Sequence, residues 1–257
     1  MSTYPRPQKI LPQGVEPQFQ MLDTDKRTRG AVGDIVIYVV LQLVFGFSAF
    51  GIAMAAGLVP ATMDPAQLEM SSFLVATLIG LCLASATMLY LRRKTLQKAW
   101  HYRPAKHLKY PKLSSMGIMI AALALGSLYT YLIDRPLQPE YQVLGQMVRD
   151  GGLPALVVIL AVVILGPAVE ELLFRVQLQA AVAKKAEAKM GEQKAIALGM
   201  VVSTIAFAFI HFQLTAAPAQ LLMGGALAII YQRHRSFSEV WLLHSAVNLI
   251  GILTINM

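Results

Sequence analysis

Residues 153–183 read LPALVVILAVVILGPAVEELLFRVQLQAAVA, an apolar run broken by three charged side chains only, Glu170, Glu171 and Arg175. A helix needs about 20 apolar residues to cross a bilayer, so the run is long enough to span and then continue. A charge near the middle of a membrane helix costs roughly 2.5–3.5 kcal/mol on insertion scales. Two adjacent carboxylates at that depth therefore need compensating chemistry. Gly166-Pro167 divides the run. Pro167 has no N–H and clashes with the carbonyl of Val163, so a break or kink is expected there. Proline suits the first position of a new helix. Glu170 and Glu171 would then fall near its first turn, where the backbone dipole favours negative charge.

The rest of the chain has the same solvent. Of 257 residues, 56% are hydrophobic and 14% charged, with a mean hydropathy of +0.56. Soluble domains carry about 25% charged residues. Apolar segments lie at approximately 34–59, 71–91, 114–133, 153–183, 195–213, 217–232 and 238–256. They predict an all-α, polytopic integral membrane bundle of about seven transmembrane helices. Residues 1–32 are polar, with Pro5, Pro7, Pro12 and Pro17, and lack the early apolar core of a signal peptide. They are expected to form a cytoplasmic tail ahead of a single membrane-embedded domain, 33–257.

The formal net charge is +8. With the N-terminus in the cytoplasm, the cations fall in the tail, in the loop holding Arg92 to Lys112, in the loop holding Lys184 to Lys194, and at Arg233 and Arg235. Of the 22 Lys and Arg, Arg135 and Arg149 alone fall outside, with Arg175 inside the membrane. This asymmetry is a topology signal and points away from nucleic acid as a partner. Cys82 is the only cysteine, which excludes an intrachain disulfide and a cysteine-built metal site. Its apolar neighbours argue against thiol catalysis.

Three clusters carry chemistry. Glu171 and Arg175 are four apart, in the favourable order for an ion pair on one helix face. Glu170 points elsewhere and is free to act as a base, although a purely structural ion cluster accounts for the same residues. Phe207 and His211 also share a face. A single histidine in an apolar helix is more often structural than catalytic, and Phe207 alone reads as packing. His244 and Asn248 are again one turn apart, able to donate in one direction, as an oxyanion site requires, or to bond between helices. Together the clusters imply a shared polar pocket in which a carboxylate and an imidazole activate water. Ser203 and Ser245 read as small packing residues, not nucleophiles.

Glu170-Glu171-x-x-x-Arg175, Phe207-x-x-x-His211 and His244-x-x-x-Asn248 resemble, in order and spacing, the motifs of the CAAX protease and bacteriocin-processing family, also called Abi or type II CAAX prenyl endopeptidase-like. The resemblance covers roughly 150–257. It implies an intramembrane endopeptidase of the glutamic type. Glu170 and His211 would position the attacking water, and His244 and Asn248 would form the oxyanion hole. Glu171, Arg175 and Phe207 would support them. Val176 departs from the glycine that many relatives carry after the arginine.

The implied partners are the bilayer and a peptide or protein substrate, prenylated or membrane-associated. The implied location is the cell membrane, or the endoplasmic reticulum membrane in a eukaryote. No cofactor is expected, although Glu170, His211 and His244 offer a His₂Glu set that zinc takes. The rival functions are a non-proteolytic bacteriocin immunity or membrane interaction protein, and a proton-coupled transporter. The lack of an internal repeat counts against the transporter.

Overall fold

The computed structural model describes residues 27–55, 65–101, 111–133, 139–211, 213 and 215–254. The expected tail up to position 26 lies outside them. So do Arg103, Lys106, Lys109 and Arg135 among the cations used for orientation. All the regular structure among the described residues is helical. In chain order the helices are α1 (Arg27–Ala55), α2 (Pro65–Leu91), α3 (Arg93–His101), α4 (Leu113–Leu132), α5 (Pro139–Asp150), α6 (Gly152–Met190), α7 (Glu192–Phe209), α8 (Ala217–His234) and α9 (Phe237–Thr254). Six are long and apolar enough to cross a membrane: α1, α2, α4, α6, α7 and α9. The chain is a multi-pass membrane helix bundle.

The sixth apolar segment, 217–232, forms α8, which is less apolar than these six. It nevertheless runs antiparallel to α4 along that span. At one end Ser115 Oγ is 3.1 Å from His234 Nδ1. At the other, Tyr129 donates to the Thr215 carbonyl at 3.3 Å, and Gly126 faces Ala219. Helix α8 therefore occupies the same slab as α4. Its polar Gln220 and Gln232 are partly covered by neighbours, so it needs less hydropathy than a lipid-facing helix.

Helices α1 and α2 form an antiparallel hairpin. Asp34 pairs with Arg92, Tyr38 bonds Ser85 at 2.9 Å, and Gly80 meets Gly46. Asp34 is buried at the end of its span, so Arg92 supplies the countercharge that an acid there requires. The Asp34 hydrogen bond and charge raise the Arg92 guanidinium above its ordinary range, against the opposing effect of partial burial. Helices α3 and α5 were not anticipated, being short and mixed in polarity. Leu96 and Ala99 seat α3 against the core, and Leu144 seats α5 against α6 and α9.

The hub is α6, which contributes to every buried apolar cluster. Ala168, Leu172 and Val176 pack with α4, α8 and α9; Val169, Leu173 and Phe174 pack with α1, α2 and α7; Val158, Ala161 and Val163 pack with α2, α5 and α9. The break expected at Gly166-Pro167 takes the form of a change in hydrogen-bond register. The helix is α over Gly152–Val158, π over Ile159–Leu165, α over Gly166–Glu170, π over Glu171–Gln179, and α again to Met190. The Gly166 N–H reaches five residues back to Ala161 O, and a side chain at 166 would meet that oxygen at 2.7 Å. Proline is thus accommodated without ending the helix, because widened turns redistribute the bonds around it. Glu170 and Glu171 consequently lie in mid-helix, not at a helix start, and no free N-terminal dipole offsets their charge.

A Cβ at Gly80 would lie 2.5 Å from the Gly46 nitrogen, whereas one at Gly51 meets nothing within 4 Å. Gly80→Ala should therefore lose about 1–3 kcal/mol, as overpacking does. It should melt below wild type in detergent, while Gly51→Ala melts at or above it.

Candidate active site

The two glutamates have different surroundings. Glu171 is fully buried, and both of its oxygens are engaged. His244 Nδ1 is 2.9 Å from Oε1, and Arg175 Nε is 3.2 Å from Oε2. The Arg175 N–H is turned off the line to that oxygen, so this contact is Coulombic without being an aligned hydrogen bond. The i,i+4 pair expected from the sequence is present. Among the described residues the ion-pair contact of Glu170 is its Oε2 to His244 Nε2 at 3.6 Å, and its side chain keeps 17% exposure against 0% for Glu171.

Arg175 is the largest fully buried side chain among the described residues. Its Nη1 donates to Ser203 Oγ at 3.2 Å, and Ser203 passes its own proton to the Phe174 carbonyl at 2.8 Å. Ser203 is thus a polar anchor for the arginine, not the simple packing residue the sequence suggested. The guanidinium also lies 4.7 Å from the centre of the Phe207 ring, a cation–π contact strengthened by the dry setting.

Phe207 is central to the site. Its ring stands edge to face with Phe174 at 5.6 Å, His211 at 4.9 Å and His244 at 5.6 Å. Gly224 of α8 makes room for it, since a Cβ there would sit 2.9 Å from the ring. His211 follows the end of α7, and its Nδ1 lies 2.8 Å from the Phe207 carbonyl. A carbonyl can only accept, so Nδ1 carries the hydrogen, and Nε2 of the neutral ring keeps its lone pair. The ring thereby caps an orphan carbonyl of the helix end and presents a basic nitrogen. Among the described residues, the hydrogen bond and the ring contact of His211 are both to Phe207 and not to Glu170.

Helix α9 meets the centre of α6 with three side chains. Trp241 Nε1 donates to the Ile164 carbonyl at 3.0 Å, His244 holds Glu171, and Asn248 Nδ2 donates to the Val162 carbonyl at 2.9 Å. His244 and Asn248 were expected to donate in one direction. Here one donates to a side chain and the other to the backbone of α6. The Val176 departure is absorbed by packing, since Val176 is buried against α8 and α9.

The spacing held a signal for two of these residues, Ser203, which was read as packing, and Trp241. Ser203, Phe207 and His211 are spaced i, i+4, i+8, and Trp241 is three before His244, so each shares a face with a motif residue. Among the described residues, no three His, Cys, Asp or Glu side chains gather closely enough to hold a metal ion. Glu170, His211 and His244 do not converge as a zinc set, and His244 has both ring nitrogens turned to carboxylates.

Residues 152–250 match the family model described as Rce1-like, type II CAAX prenyl endopeptidase. That part of the chain belongs to the CAAX protease family. The match runs from the start of α6 into α9 and contains every residue of the three motifs. No curated protein and no solved structure matches the chain. The family hydrolyses peptide bonds of protein and peptide substrates in membranes, and the match over these residues indicates a peptide-bond hydrolase.

Removing Arg175 would leave Glu171 buried and poorly compensated, a change that costs about 3–5 kcal/mol. Arg175→Met should yield little folded protein by size-exclusion in detergent, and Arg175→Met/Glu171→Gln should recover much of it. Equal yields from the single and double variants would contradict the pairing.

Proposed function

We propose that this protease acts without a covalent intermediate, through water activated by Glu170 and His211. The supporting observation is the division of labour between the glutamates. Glu171 is bonded to His244 through one oxygen and ion-paired to Arg175 through the other, whereas Glu170 keeps one long approach and partial exposure. Glu170 takes a proton from the water, and the resulting hydroxide adds to the scissile carbonyl. His211 Nε2, with its lone pair available, accepts a hydrogen bond from the same water. Asn248 and His244 donate to the oxyanion. The C–N bond then breaks as the proton held by Glu170 passes to the leaving amine.

Charge balance favours this sequence. In the proposed state both His244 nitrogens, each facing a carboxylate, carry hydrogens, so that the ring and Arg175 balance Glu170 and Glu171. His244 then donates Nδ1–H to Glu171 and Nε2–H toward the substrate oxygen. When Glu170 becomes neutral, its negative charge reappears on the oxyanion, and the cluster stays neutral. A dry site stabilises such a transfer because no net charge is created in low dielectric.

The orientation we favour keeps the N-terminus in the cytoplasm. The polar cluster of Ser115, His234 and Glu239, which joins the start of α4 to the turn between α8 and α9, then faces that side with the basic loops. The substrate is a prenylated or membrane-associated peptide, and catalysis needs no metal.

The test is cleavage of prenylated and unprenylated fluorogenic peptides by purified wild type, Glu170→Gln and His211→Ala, with and without chelator. Each substitution should lower kcat by roughly 10²–10⁴-fold at an unchanged melting temperature, and wild-type activity should survive the chelator. Equal cleavage by wild type and Glu170→Gln would overturn the role of Glu170. Loss of wild-type cleavage in chelator, restored by zinc, would overturn the metal-free mechanism.

A further inference from the structure

The π ladder of α6 offers no N–H at the position that would bond the Val162 carbonyl. In the π stretch the Gly166 N–H reaches five residues back to Ala161 O. The next N–H along that ladder would belong to residue 167 and would reach Val162. Proline has none. Asn248 fills the gap, its Nδ2 donating to Val162 O at 2.9 Å. On the same face of α9, Trp241 Nε1 donates to Ile164 O at 3.0 Å. Residues 241, 244 and 248 are spaced i, i+3, i+7, so these two backbone contacts flank His244 on a single helix face. His244 in turn meets Glu171.

We infer that Pro167 is a positioning residue for the oxyanion side of the site. By withholding an N–H it reserves the Val162 carbonyl for Asn248. One hydrogen of the Asn248 amide is held there, which fixes the plane of the amide and leaves its second hydrogen for the substrate oxygen. Trp241 anchors the same face of α9 on the other side of His244. The inference rests on the role proposed above for Asn248. It goes beyond that role in assigning the orientation of the amide to a missing backbone donor three residues before Glu170.

An unusual pairing of effects follows. Pro167→Ala gives α6 an N–H that competes for Val162 O, so the helix gains a bond while Asn248 loses its anchor. The experiment compares kcat, KM and melting temperature for Pro167→Ala, Asn248→Ala and the double variant, on a peptide that wild type cleaves. Pro167→Ala should melt at or above wild type, yet lose about tenfold in kcat, less than deletion of an oxyanion donor costs, with KM within about twofold. The double variant should be no slower than Asn248→Ala, because the proline acts only through the asparagine.

Wild-type kcat in Pro167→Ala, or losses that multiply in the double variant, would overturn the inference even where Asn248→Ala is inactive. Wild-type kcat in Asn248→Ala would sink the role of Asn248 and the inference with it. Should Pro167→Ala fail to fold, Trp241→Phe carries the test. Removing the indole N–H should lower kcat about threefold at unchanged KM and melting temperature, and wild-type kcat there would overturn the inference.

Discussion

A guanidinium fully buried beside two carboxylates is the constraint around which this bundle is arranged. A guanidinium carries its charge on five N–H donors and accepts no hydrogen bond, so the surroundings of Arg175 must balance it where water is scarce. Glu171 supplies the charge, Ser203 a directional acceptor, and the Phe207 face a polarisable surface. These groups come from α6 and α7, and the glycine that admits Phe207 comes from α8. The arrangement commits one glutamate and leaves the other. A structural ion pair and a chemically available carboxylate thus arise from adjacent residues in one helix.

The long helix α6 reconciles two demands. It must run through the whole core, since each apolar cluster includes it. It must also expose backbone and polar groups at mid-depth, which a regular α-helix does not do. Proline and two π stretches meet both demands. Wider turns keep the chain helical, so no unpaired segment faces lipid, while carbonyls at 162 and 164 become available to α9. The energetic penalty of proline inside a helix is offset by hydrogen bonds from another helix. Trp241 and Asn248 of α9 are thereby held to the α6 backbone, which is stiffer than side chains alone.

Much of the architecture was legible one residue at a time. Apolar lengths predicted the spans, and the spacings Glu171/Arg175 and Phe207/His211 predicted shared faces that the structure contains. The break or kink expected at Gly166-Pro167 appears as a change of register and not as a helix end, because the rule that proline ends helices assumes a fixed i→i+4 ladder and a π register relaxes it. Ser203 was read as packing because an isolated serine in an apolar helix carries no sign of what faces it. The same blindness hid Trp241, whose indole looks like any aromatic until the Ile164 carbonyl is seen opposite.

By itself the sequence determined the solvent, the all-helical class, the approximate spans and the motif residues, since each depends on local composition or on spacing within a single helix. Tertiary structure decided which glutamate is occupied, that Ser203 holds Arg175, and where the Asn248 amide is anchored. Those properties depend on contacts between helices from 28 to 86 residues apart. A one-dimensional pattern carries no crossing angle and no distance between helices, so it names the participants without arranging them.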